Sequence, residues 1–145
     1  MKKENPGYHL TEINKGVYGQ YSKVAEEMEE ILDALEQDCA IMVIVEMSDM
    51  MGAMEAYYEN FADLLTQVSF GWDYGWVPES PDFAADLQTD FECLNAEPDN
   101  IEYLYSVLQA VKNYLMRFNM TFVDLQKMNH ITKRAFINGR RTVSN

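Results

Sequence analysis

Ile41-Met42-Val43-Ile44-Val45-Glu46-Met47-Ser48-Asp49-Met50-Met51 is the stretch that decides the fold class. It belongs to a segment from about Cys39 to Leu65 that shows no strand alternation. At about 100° per residue Ser48, Glu55 and Glu59 fall on one stripe, and the rest of the cylinder is largely apolar. A helix with so narrow a polar stripe has to be buried on several sides, so the segment predicts a long central helix in a bundle.

Outward from this segment the same periodicity recurs. Towards the N-terminus, Val17, Tyr21, Val24, Met28, Ile31, Leu32 and Leu35 repeat at three- and four-residue steps and predict an amphipathic helix over Thr11–Glu36. Gly16 and Gly19 weaken its first turns. The short break at Gln37-Asp38 makes these two helices antiparallel neighbours.

Towards the C-terminus, residues 66–79 carry Gly71, Trp72, Tyr74, Gly75, Trp76 and Pro78 and predict an irregular aromatic loop. Ser80-Pro81-Asp82 is a helix start, with Ser80 at the N-cap, before a short helix lined by Phe83, Leu87, Phe91 and Leu94. Pro98-Asp99-Asn100 opens the next helix, whose stripe is Ile101, Leu104, Tyr105, Leu108, Val111, Leu115 and Phe118. Thr121 and Asp124 resemble a capping box before a last helix carrying Phe122, Leu125, Met128 and Phe136, which stops at Asn138-Gly139. The expected class is all-α: a bundle of about five helices in a single domain over residues 1–145.

Composition narrows the setting. At 145 residues the chain can bury roughly 70% of its unfolded surface, so a core needs no disulfide staples. Hydrophobic residues at 48% and charged residues at 24% are globular rather than disordered proportions. Cys39 and Cys93 have no metal-type spacing and fit a reducing cytosol. No apolar stretch follows the N-terminus as a signal peptide requires, and the run Ala40–Val45 falls far short of the ~20 residues that span a bilayer.

A formal charge of −13 argues against duplex DNA or RNA and against anionic membrane as partners. The charge is also uneven. Every Asp and Glu lies at or before Asp124, while Lys127, Lys133, Arg134, Arg140 and Arg141 crowd the tail.

Acid pairs three residues apart are frequent, as in Glu26/Glu29, Glu27/Glu30, Glu30/Asp33 and Asp99/Glu102, and most such pairs are solvated helix faces. Glu46 and Asp49 differ. They lie about 130° from the solvent stripe, beside Met42, Met50, Ala53 and Tyr57. An unpaired carboxylate in an apolar setting costs several kcal/mol, and two repel each other besides. No Arg or Lys lies between Cys39 and Leu65 to compensate them. A divalent cation would do so, since hard Mg²⁺ prefers carboxylate oxygens; buried protonated acids are the alternative. The first helix can supply further ligands. Lys23, Glu27, Glu30 and Ala34 share one flank, but Glu26, Glu29 and Asp33 are available on others, and the helical wheel does not choose among them.

Glu27-Met28-Glu29-Glu30, fifteen residues, and then Glu46-Met47-Ser48-Asp49 resembles the ExxE…ExxD signature of the all-α NTP pyrophosphatases, the MazG-like family. Ala25–Ala34 resembles the first motif helix of that family, and Glu46–Met51 the second. Leu125–Met128, Thr132–Phe136 and Gly139–Arg141 are similar to the closing segment of small phage and bacterial members.

The resemblance implies a bundle that forms homodimers or homotetramers in the cytoplasm of a bacterium or a phage-infected host. It implies Mg²⁺, with Mn²⁺ as an alternative, held by Glu27, Glu30, Glu46 and Asp49. It implies conversion of a nucleoside triphosphate to the monophosphate and pyrophosphate. Against that pattern, residues 66–98 look like an insertion.

Phosphate charge needs cations, and Lys23, one turn before Glu27, is the first candidate; Lys127, Lys133, Arg134 and Arg140 are the others, with a solvated tail as the competing reading. Gln20 could meet a base edge, and Trp72, Tyr74 and Trp76 could stack on a base, though surface and packing roles suit them better. His9 and His130 have no nucleophile partner in the sequence, and the methionines of the second helix are core fillers. Two other function classes fit the same residues: a nucleotide- or alarmone-binding protein without hydrolysis, and an acidic helical interaction module.

Overall fold

The computed structural model describes residue 10, residues 12–70 and residues 82–137. Among the described residues the chain is all helical: α1 (Tyr21–Glu36), α2 (Ala40–Tyr57), α3 (Phe61–Phe70), α4 (Phe83–Ala96), α5 (Ile101–Met116) and α6 (Phe122–Ile137). No helix among them is long and apolar enough to cross a membrane.

α1 begins at Tyr21 rather than near Thr11. Gly19 sits at φ 92, a left-handed conformation that ends any helix approaching from the N-terminal side. Residues 12–18 run instead as a non-helical strap beside α1. The strap passes so close that a Cβ on Gly16 would lie 2.2 Å from the Ser22 carbonyl oxygen. α1 and α2 are joined through Asp38 at φ 56 and pack along each other as antiparallel neighbours.

The helix expected over Cys39–Leu65 is two helices. Tyr58 leaves α2 in an extended conformation, and Asn60 turns left-handed at φ 59, which asparagine tolerates better than most residues. The Asn60 carbonyl then accepts from the Asp63 and Leu64 amides and restarts the chain as α3. Aromatic anchoring accounts for the break. The Tyr58 hydroxyl donates to the Pro98 carbonyl at 2.7 Å, and its ring meets Tyr57 edge-on at 4.8 Å.

Ser48 does not face solvent. It is 1% exposed, because α6 lies on that side of α2 and Ser48 Oγ donates to the Leu125 carbonyl at 3.2 Å. A small hydroxyl can read as a surface group in sequence and still be buried when a neighbouring helix offers an acceptor. Glu55 and Glu59, from the same stripe, are exposed. Gly52 extends the α2–α6 contact, since a Cβ there would meet the Asn129 side chain at 2.4 Å.

Residues 66–70, expected in a loop, complete α3. Their helical end is capped from α5 by Lys112 Nζ, which donates to the carbonyls of Val68 at 3.0 Å and Ser69 at 3.4 Å. Trp72, Tyr74, Trp76, Ser80 and Pro81 lie outside the described residues. The N-cap of α4 is Asp82, whose Oδ1 accepts from the Ala85 amide at 3.3 Å. Leu87, Phe91 and Leu94 of α4 are fully buried against α5 and α1, so this short helix is part of the core.

α5 starts at Asn100, whose Oδ1 accepts from the Glu102 amide at 3.0 Å. Its buried face is Leu104, Val107, Leu108, Val111, Tyr114 and Leu115, while Ile101 and Phe118 at its two ends are exposed. At α6, the Thr121 amide donates to Asp124 Oδ2 at 2.9 Å, the returning half of a capping box. Met47, Met50 and Met54 fill the centre between the helices without a polar partner to satisfy.

Candidate metal centre

Two antiparallel helices with an acid every three residues bring their carboxylates together only where the facing turns align. On α1 that place is Glu27 and Glu30, and on α2 it is Glu46 and Asp49. One oxygen from each of these four residues lies within 4.8 Å of the other three. Glu27 and Glu46 are buried, at 4% and 2% exposure, and Glu30 and Asp49 are half-buried. Glu30 interacts electrostatically with Glu46 and with Glu27, on either side of it in the cluster. Glu27 Oε1 is buried and accepts no hydrogen bond from the protein.

The same helices settle which acids of α1 are committed elsewhere. Glu26 is buried, and its Oε1 accepts from the Gly16 amide at 2.8 Å and from Lys23 Nζ at 3.1 Å. Asp33 is buried too, with Oδ2 accepting from the Leu10 amide at 2.8 Å and Oδ1 from Gln37 Nε2 at 2.7 Å. Glu29 is exposed. Glu27 and Glu30 are therefore the pair that α1 turns towards α2.

Electrostatics separate the two sets. Burial, followed by the charge of Glu30, pushes the Glu27 carboxyl up to about 8. Burial, with the hydrogen bond and charge of Glu46, pushes Glu30 up to about 9. Burial acts on Glu26 in the same sense, but there the Gly16 amide and Lys23 outweigh it and hold the carboxyl below its ordinary range. Lys23 Nζ also lies 3.1 Å from Glu27 Oε2. Burial works against its charge, yet Glu27 and Glu26 raise the ammonium to about 12. Lys23 thus stands at the edge of the cluster, turned towards carboxylates.

Lys127 is exposed on α6. Lys133 and Arg134 fall within α6, with their side chains outside the described set, and Arg140 lies outside the described residues. Gln20 is exposed at the N-cap of α1, and His130 is exposed beside a small groove with Gly52, Glu55 and Asn129. His9 lies outside the described residues.

Sequence reasoning missed the docking roles of Glu26, Asp33 and Gly16. Only the doubled acid at Glu26-Glu27 with Lys23 one turn earlier hints at them, since one lysine there reaches both.

The donor set suits a hard divalent cation. It is all oxygen, spans two rigid helices, and contains a buried oxygen left without a protein donor. No protein-family model matches this chain. Comparison with curated proteins and with solved structures likewise finds no match.

Proposed function

We propose that this protein is a Mg²⁺-dependent nucleoside triphosphate pyrophosphohydrolase, built as a MazG-like member of the all-α NTP pyrophosphatases. The observation that carries the reading is the convergence of Glu27, Glu30, Glu46 and Asp49, with Glu27 Oε1 buried and undonated. These are the four acids of the ExxE…ExxD pattern, and an all-helical chain with α1 and α2 antiparallel supports the same assignment.

In this reading the four carboxylates hold Mg²⁺, or Mn²⁺ in its place. When bound, the ion supplies neutralisation of triphosphate charge and acidification of a water beside the α phosphorus. Glu27 and Glu46, being buried, fix the inner side of the centre. Glu30 and Asp49, half-buried, stand on the side open to substrate and can orient or deprotonate the attacking water. Water adds to the α phosphorus, the bond to the bridging oxygen breaks, and pyrophosphate leaves with the monophosphate as co-product. Lys127, Lys133, Arg134 and Arg140 supply the cationic side chains for phosphate, within one chain or across a homodimer or homotetramer, and Lys23 holds the edge of the acidic cluster. Residues 66–98 would be this chain's addition to the family pattern, and α4 within them is packed into the core.

The test is incubation of purified protein with Mg²⁺ and each ribo- and deoxyribonucleoside triphosphate, with products separated by anion exchange. Monophosphate and pyrophosphate in equal amounts, lost in Glu46→Gln, are expected. Tight binding with the triphosphate recovered intact would instead identify a non-hydrolytic binding protein.

A further inference from the structure

The segment before α1 is fastened to the bundle by two buried acids outside the four that converge, although one of them, Glu26, also interacts with Glu30. The Leu10 amide donates to Asp33 and the Gly16 amide to Glu26, each at 2.8 Å. Those two acids lie seven residues apart, on one face of α1. The Val17 amide adds a bond to Ser22 Oγ at 3.0 Å. Apolar burial is limited: Ile13 is half-buried, while Leu10, Val17 and Tyr18 are each more than half exposed. A segment held by main-chain hydrogen bonds and few buried contacts opens locally at a small fraction of the cost of global unfolding.

We propose that docking of this strap and cation binding at the four-acid centre favour each other, with Glu26 and Lys23 as the positioning residues that couple them. The inference rests on the reading of Glu27, Glu30, Glu46 and Asp49 as a divalent-cation site. Its geometric basis is a shared ammonium. Lys23 Nζ lies 3.1 Å from Glu26 Oε1 and 3.1 Å from Glu27 Oε2, and the same Glu26 oxygen is the acceptor for the Gly16 amide.

A cation on Glu27 repels the ammonium held 3.1 Å from the Oε2 of the same carboxylate. Lys23 then needs another acceptor, and Glu26 is in place to serve while the strap holds its carboxylate inward. With the strap released, Glu26 loses its main-chain donor and is free to turn to water. Lys23 then stays on Glu27, where its charge opposes a cation. The strap can be displaced by steric means alone, because a Cβ on Gly16 would lie 2.2 Å from the Ser22 carbonyl oxygen and 2.5 Å from the Lys23 amide nitrogen, both of them main-chain atoms. Coupling of this kind is reciprocal: whatever the strap does for cation affinity, the cation does for strap docking.

Two measurements on the full chain test this. In the wild type, hydrogen exchange at the Gly16 and Leu10 amides should slow severalfold on addition of Mg²⁺, with core amides of α5 as the unchanged reference. In titration calorimetry, Gly16→Val should bind Mg²⁺ about tenfold more weakly, a size typical of coupled sites. Lys23→Met should bind at least as tightly as wild type, and Gly16→Val should cost nothing further in the Lys23→Met background. That disappearance separates coupling through Lys23 from general loosening of the fold. Unchanged amide exchange, equal affinity in wild type and Gly16→Val, or a Gly16→Val loss that persists in full without Lys23 each overturns the inference alone. A wild-type protein that binds no Mg²⁺ overturns the cation-site reading and this inference together.

Discussion

Glu30 and Glu46, on facing turns of α1 and α2, each bring a carboxylate oxygen within 4.8 Å of the other. Two buried carboxylates that close repel each other, and burial together with Glu46 raises the Glu30 carboxyl, so without a cation the pair favours holding a proton. Burial brings Glu27 into the same arrangement.

Stability of the cation-free protein should therefore fall as pH rises. Glu27 at about 8 and Glu30 at about 9 compare with 4.5 for the free side chain, so between those values the folded chain holds more protons than the unfolded one. The stabilisation is complete below the unfolded value and is lost as pH climbs through the folded values, at about 1.4 kcal/mol per pH unit for each retained proton. Saturating Mg²⁺ replaces those protons and should flatten the slope. Urea unfolding between about pH 6 and pH 9, with and without Mg²⁺, measures both. A pH-independent midpoint without Mg²⁺ contradicts the assignment.

Neutralising one acid should divide stability from function. Glu46→Gln removes a buried charge and keeps its shape, so without Mg²⁺ the variant should be as stable as wild type or more so, by about 1–2 kcal/mol. Mg²⁺ should no longer raise its melting temperature, and hydrolysis should fall by more than about 100-fold. A thermal shift series and a pyrophosphate assay read the two effects. A variant that keeps its Mg²⁺-induced shift argues against Glu46 as a ligand.

The all-helical class and the position of Glu46 and Asp49 away from the solvent stripe were legible in local periodicity, whereas Glu27 and Glu30 stood out from the other acids of α1 only through the resemblance to the ExxE…ExxD signature. A 3.6-residue repeat marks helices, and acids without solvent stripe neighbours stand out against it. The misses came from tertiary context. Ser48 reads as a surface residue until α6 supplies the Leu125 carbonyl. The break after Tyr57 depends on Pro98, some forty residues away, accepting from Tyr58. Glu26 and Asp33 read as two more acids of a charged helix until the strap offers its amides.

The α2–α6 contact gives a prediction of its own. A Cβ on Gly52 would fall 2.4 Å from Asn129 Nδ2 and 2.6 Å from Oδ1, and Asn129 is itself buried. The Asn129 side chain has to shift to make room, and its burial limits where it can go. Gly52→Ala should destabilise the protein by about 1–3 kcal/mol, the usual cost of overpacking. Gly52→Ala combined with Asn129→Ala should recover part of that loss, a non-additivity expected of residues in direct contact. Urea unfolding of the two single variants and the double variant completes the cycle, and strict additivity would show that the helices do not meet there.

Lys112 offers a test of where α3 ends. The last carbonyls of a helix have no internal donors and carry the negative end of its dipole, so a lysine ammonium placed there both bonds and neutralises them. Lys112 reaches the Val68 and Ser69 carbonyls from α5, tying the segment that precedes the aromatic stretch to the core. Lys112→Met keeps the aliphatic stem and removes the donor. It should cost about 1 kcal/mol in global stability, and amides in the last turn of α3 should exchange faster while those of α2 stay protected. If residues 66–70 were irregular, as their neighbourhood in the sequence suggests, those amides would already exchange freely and the substitution would change nothing there.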